Sequence, residues 1–217
     1  MKRNVIFYSL AIGAFTCFYA CSPSEKKAEE TQTEATSNAD VEDAVVYTVD
    51  PARSELKWKG TKVTGEHFGT INVQEGTLSV KDDALVGGKV LVNMNSIVVL
   101  DLEDSTYNAN LVGHLKSEDF FNVENHGTST LEITDIKAGE GSAKTVNARL
   151  TIKGITNEVS FPADIEISED KVSAKGTVTL DRTLWEIKYG SGKFFEGLGD
   201  KLIHDQMQLE FNIQAVK

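Results

Sequence analysis

VSFPADIEISEDKVSAKGTVTL, residues 159–180, holds two runs of alternating apolar residues on either side of a polar break. Val159, Phe161, Ala163, Ile165 and Ile167 alternate with polar or small residues, and Val172, Ala174, Gly176, Val178 and Leu180 take up the same rhythm after Ser168-Glu169-Asp170. A period of two puts every second side chain on one face of a strand, so each run can bury one face. The polar break between the runs reads as a turn, which makes the pair antiparallel. Pro162 has no N–H to donate, so its strand is expected to be an edge or to carry a bulge there.

The same alternation extends in both directions. Leu56 and Trp58 show it, as do Ile71 and Val73, then Leu78 and Val80 beyond an expected turn at Glu75-Gly76. It continues through Val90, Val92 and Met94, through Leu131 and Ile133, and through Val146, Ala148, Leu150 and Ile152. Met207, Leu209, Phe211, Ile213 and Ala215 close the series, with further turn signals at Lys81-Asp82-Asp83 and Ala138-Gly139-Glu140-Gly141. About eight strands result. Between Asp104 and Phe121 the rhythm changes: Leu111 and Leu115 stand at helical spacing, and Asp104 or Ser105 can cap the start. One short helix among hairpin-linked strands predicts an all-β domain, an eight-stranded antiparallel barrel, with a two-sheet sandwich as the alternative.

Residues 1–46 have a different character. Lys2 and Arg3 precede a mostly apolar run from Val5 to Ala20, as in an export signal, and the run is short for a membrane span. Cys21 follows the small Ala20 and is the expected site of cleavage and lipidation, although Phe18 and Tyr19 are bulky for a lipobox. The alternative is an ordinary secreted or periplasmic protein. The expected division is signal peptide 1–20, lipidated Cys21 and acidic linker 21–46, and barrel 47–217. The linker lacks apolar periodicity and is expected to act as a leash with a reach of roughly 25–30 Å. Cys17 and Cys21 are the only cysteines, so the barrel has no thiol for a disulfide, a nucleophile or a soft metal site.

Of the net charge of −11, Lys2 and Arg3 contribute +2 and residues 22–46 contribute −5, leaving −8 for 47–217. Such a domain is a poor partner for nucleic acid or for anionic lipid. His67, His114, His126 and His204 lie in separate segments without metal-ligand spacing, so no metal is expected. Gly190-Ser191-Gly192 lacks the spacing of a nucleophile elbow, and the carboxylate pairs Asp82-Asp83 and Glu103-Asp104 are explained by turns and capping. No catalytic residue and no cofactor is assigned. Asp181 and Arg182 are read as a structural ion pair at a strand end, with contact between Arg182 and a polar ligand head as the alternative.

An ordered series of strings resembles the YceI-like family of envelope proteins. Tyr47-Thr-Val-Asp50 leads to Ser54-Glu-Leu-Lys-Trp58 and Gly65-Glu-His67-Phe-Gly69. Val92-Asn-Met-Asn-Ser96-Ile97, Gly113-His-Leu-Lys-Ser-Glu-Asp-Phe-Phe121, Leu150-Thr-Ile-Lys-Gly154-Ile-Thr and Asp181-Arg182 follow. Asn125-His126-Gly127 departs from the family where a proline usually stands after the double Phe. The resemblance implies a lipocalin-like barrel holding a long amphiphilic lipid, polyisoprenoid or quinone-like, for transport, storage or buffering. The large residues Trp58, Phe68, Phe120, Phe121, Phe161, Trp185, Phe194 and Phe195 are the expected ligand wall, with Leu111 and Leu115 on a lid; His114, which matches the family string, is expected at the polar head of the ligand or in a hydrogen bond to backbone. The partners are then the lipid and, through Cys21, a membrane; oligomeric state is left open. An envelope enzyme using the same pocket and a fully packed interaction module are the competing readings.

Overall fold

The computed structural model describes residues 43–217. The signal peptide, Cys21 and most of the linker lie outside the described residues. The elements in chain order are β1 (Val45–Val49), β2 (Glu55–Lys62), β3 (Gly65–Lys81), β4 (Ala84–Val99), α1 (Ser105–Lys116), β5 (Thr128–Ala138), β6 (Ala143–Ile152), β7 (Ile155–Ile167), β8 (Lys171–Asp181) and β9 (Ile203–Val216). All pairings are antiparallel, and the sheet closes on itself through β3–β4, β2–β3 and β2–β9. The result is a closed eight-stranded antiparallel barrel with one helix.

Nine strands make eight staves because β1 and β2 share one place. Both run antiparallel to β3, with Thr48 opposite Thr77 and Leu56 opposite Ile71, and both also pair with β9. The turn at Asp50–Arg53, which contains Pro51, interrupts what is otherwise one strand. Strand β1 begins at Val45, inside the stretch that composition groups with the linker. Its pairing with Val80 rests on backbone hydrogen bonds, which need no apolar pattern.

The expected turn at Glu75-Gly76 is absent, and β3 runs straight through as a bulge. The register against β4 shifts between Val73 and Glu75, which inserts Gln74 and bends the strand without reversing it. The reversal comes at Asp82-Asp83, both with positive φ, as a two-residue hairpin requires. Gly69 marks the tightest crossing of β3 and β4. A Cβ there would lie 1.8 Å from the Val98 carbonyl oxygen and 2.9 Å from the Trp58 indole, so no other residue fits.

Pro162 sits where an edge is locally available. The β7–β8 ladder covers only Asp164–Ile167, so the N-terminal part of β7 pairs with β6 alone. Ile165 donates its N–H toward Ser142 of the β5–β6 turn, so by alternation the nitrogen of Pro162 faces the open seam. Helix α1 starts at Asp104, whose carboxylate accepts from Thr106 and Tyr107 N–H groups at 2.9 and 3.0 Å. Because strand direction alternates, the β4–β5 connection carrying α1 and the long β8–β9 connection emerge at the same end of the barrel.

A two-lobed apolar cavity inside the barrel

The inward faces of the staves leave space between them. A lobe of about 160 Å³ lies toward the helix end, and a second of about 110 Å³ lies deeper. Leu56, Val92, Ser129, Leu150 and Leu209 border both, so the two lobes adjoin at a waist made by these side chains. Trp58, Leu115, Phe120 and Phe121 line the larger lobe, and Phe161 lines the smaller, edge-on to Phe211 at 5.5 Å between ring centres. The Trp58 indole N–H is satisfied by the Val98 carbonyl at 3.1 Å, which holds the ring in place.

Six of the expected ligand-contacting residues do not line these lobes. Phe68 is 42% exposed, because Gly69 and Ile71 take the inward positions of β3 and alternation turns Phe68 outward. Phe194 and Phe195 are about half exposed in the β8–β9 connection, where the Lys188 ammonium lies 4.9 Å from the Phe194 ring centre. Trp185 is completely buried but packs behind the wall, donating its indole N–H to the Leu150 carbonyl at 3.1 Å. Leu111 packs on the core without reaching the cavity. His114 is 3.1 Å from the Asp119 carboxylate and edge-on to Phe120 and Tyr189, with ring centres 4.9 and 4.6 Å away. It therefore joins α1 to the β8–β9 connection and steadies Phe120, which does face the cavity.

Arg182 closes the helix end of the larger lobe. It is 4% exposed and donates to the carbonyls of His204, Ile187 and Ile203 at 3.1, 2.7 and 3.0 Å. Its ion-pair partner is Asp205 at 3.6 Å, while Asp181 instead takes Lys193 at 2.5 Å and caps the following turn through Thr183. Burial works against the charged Arg182 guanidinium and lowers its pKa, with Asp205 and Asp181 opposing that pull. For Asp181, burial pushes the carboxyl upward, but hydrogen bonds from Lys193 and Thr183 outweigh it and hold it below the usual range. The expected Asp181–Arg182 pair is thus two pairs. Outside the barrel, Thr61, Lys193, His204 and Asp205 border a polar groove that shares Ile203, His204 and Gln206 with the larger lobe. The register shift between Gly60 and Lys62 puts this thin segment of wall there.

Ser129 is the residue that sequence reasoning missed. It occupies an inward position of β5 in register with Leu131 and Ile133, is 6% exposed, and its hydroxyl has no hydrogen-bond partner. A serine adds nothing to an apolar alternation, so the pattern of β5 is legible only from Leu131 onward. Among the described residues no group of three or more His, Cys, Asp or Glu side chains is placed to hold a metal.

Known proteins agree with this architecture. A family model described as YceI-like domain matches residues 47–215. A UPF0312 protein of Ectopseudomonas mendocina is 34% identical over 121 residues, which cover 52% of this chain and 60% of that one. Another, from Pseudomonas aeruginosa, is 33% identical over 100 residues, covering 45% and 48%. The chain thus spans about half to three fifths of the length of these curated relatives. Among solved structures, BcnA of Burkholderia cenocepacia superposes with a TM-score of 0.57 at 19% identity, over 77% of this chain and 99% of that one. A domain from Saccharophagus degradans, described as polyisoprenoid-binding and implicated in plant cell wall breakdown, gives 0.55 at 13% identity, over 78% and 97%. At those identities the likeness is one of fold. The family model spans nearly the whole barrel, and the chain belongs to the family of YceI-like domains.

Proposed function

We propose that this protein is a non-catalytic carrier that takes the apolar chain of an amphiphilic lipid, polyisoprenoid or quinone-like, into the barrel. The observation that carries the reading is the pair of adjoining lobes walled by aliphatic and aromatic side chains, the larger at the barrel end that bears α1 and the smaller deeper in the barrel. The polyisoprenoid-binding description of the Saccharophagus degradans domain supports the same ligand class. Each buried methylene is worth about 0.8 kcal/mol relative to water. A bilayer offers nearly the same environment, so exchange between membrane and barrel is close to balanced, which suits transport, storage or buffering.

The volumes bound what is enclosed. A cavity of about 150 Å³ takes one benzene ring, so two adjoining lobes of this scale hold a chain of roughly ten carbons. A longer lipid leaves its remainder and head outside, or spreads the walls. Full-length protein purified under native conditions is expected to release an amphiphile on organic extraction, or to acquire geranylgeraniol seen as an added mass by native mass spectrometry. Val92→Phe fills the waist and is expected to weaken geranylgeraniol binding at least about tenfold, equivalent to about 1.4 kcal/mol, with the fold retained. A protein that neither carries nor acquires such a chain would overturn the proposal.

We propose separately, from Lys2, Arg3, the apolar run Val5 to Ala20 and Cys21, that the barrel resides in a bacterial envelope, held by a lipid on Cys21. Cys21→Ser is expected to move the protein from the membrane to the soluble fraction on cell fractionation. Retention of the variant in the membrane would remove the anchor while leaving the carrier reading intact.

A further inference from the structure

We propose that Ser129 is a ligand anchor, and that the group it recognises is a carbonyl or hydroxyl oxygen carried inside the barrel by the amphiphile. The inference rests on the carrier reading above and narrows its ligand class. Ser129 lies at the waist, bordering both lobes, with its hydroxyl shielded from solvent and unpartnered. Its neighbours at the waist are Leu56, Val92, Leu150 and Leu209, none of which offers a side-chain donor or acceptor.

Other polar residues that border the larger lobe are occupied or turned away: Gln206 and Gln208 alternate with Met207 and Leu209 and are exposed. The Arg182 guanidinium is spent on backbone carbonyls and Asp205, Lys59 pairs with Glu66 at 3.3 Å, and the His204 ring meets Thr61 on the outer side at 2.8 Å. A bound water is a poor substitute at the waist, because a buried water needs at least two polar partners and Ser129 supplies one. A plain hydrocarbon chain would leave the hydroxyl without a hydrogen bond inside an apolar cavity, which is unfavourable. A chain bearing an oxygen at that depth accepts the Ser129 O–H and removes the mismatch. The ligand class is therefore an oxygenated apolar chain whose polar atom enters the barrel, in contrast to a chain that keeps all its polarity at the mouth.

The test uses a matched pair of probes, undecan-6-one with its carbonyl at mid-chain and n-undecane, with the full-length protein. Binding is read as headspace depletion by gas chromatography. Ser129→Ala is expected to weaken the ketone roughly five- to tenfold, the size of one net hydrogen bond, and to leave n-undecane unchanged or bound more tightly. The ligand-free variant is also expected to melt higher than the parent, since an unpartnered buried hydroxyl has gone. A merely structural serine would move both probes alike. If the parent binds both and Ser129→Ala alters neither, or both equally, this inference is wrong and the carrier reading stands. If the parent binds neither probe, nor geranylgeraniol, both fall together.

Discussion

Arg182→Ala is expected to destabilise the protein by about 3–5 kcal/mol, the usual cost of removing one partner from a buried ion pair. The side chain is the joint between the end of β8, the Ile187 segment and the start of β9, through its bonds to the carbonyls of Ile187, Ile203 and His204. Without it those bonds are lost and Asp205, itself largely buried, faces Lys193 alone at 3.7 Å. For a domain of this size the loss corresponds to a melting temperature lower by about 10 °C or more. Arg182→Ala combined with Asp205→Asn is expected to recover part of the loss, because the largely buried carboxylate left with only the more distant Lys193 is gone. If Arg182→Ala lowers the melting temperature by no more than a surface substitution does, the joint is not structural. Since Arg182 and Ile187 also border the larger lobe, the same variant should loosen ligand binding at that end.

Trp185→Ala is the second large effect, with an expected loss of about 3–5 kcal/mol. Trp185 is completely buried in the short 3-10 turn Arg182–Trp185, and its indole N–H reaches the Leu150 carbonyl across from β6. Truncation leaves a cavity behind the waist and an unpaired carbonyl, and the walls relax only in part. Trp185→Phe separates the two contributions: it retains most of the apolar volume and loses the hydrogen bond, so a smaller loss of about 1 kcal/mol is expected. Chemical denaturation of the three proteins measures this. Equal losses for Phe and Ala would show that packing behind Leu150 contributes little.

Both predictions concern the β8–β9 connection, the part of the chain where sequence reading was least informative. In the strands it did well. The alternation around Phe161 and Val172 identified β7 and β8, and Asp104 with Leu111 and Leu115 identified α1, because those signals are local and repeat within one element. Glu75-Gly76 reads as a turn in sequence because a glycine beside an acid looks the same at a bulge. In the structure Gly76 is needed for close approach, its Cβ position lying 2.7 Å from the Lys89 carbonyl oxygen. The β8–β9 connection has no period at all, so Trp185, Phe194 and Phe195 could not be sorted by face. One proved completely buried behind the wall, and the other two are exposed.

The candidate site was legible only in part, for a related reason. Large aromatic residues drew the expected ligand wall, yet the waist belongs to Leu56, Val92, Leu150, Leu209 and Ser129. Phe68 shows the limit within a single strand. Its size suggested the interior, and its parity beside Gly69 sends it out.

Most of the strands, the single helix and an inward apolar face are written in the spacing of residues along one segment, and the family in an ordered series of strings from Tyr47 to Arg182. Whether that face meets itself or encloses space was decided only by the tertiary structure. A cavity is the volume left when side chains from opposite staves fail to fill the middle, and that difference depends on closure, register and bulges summed around the whole barrel.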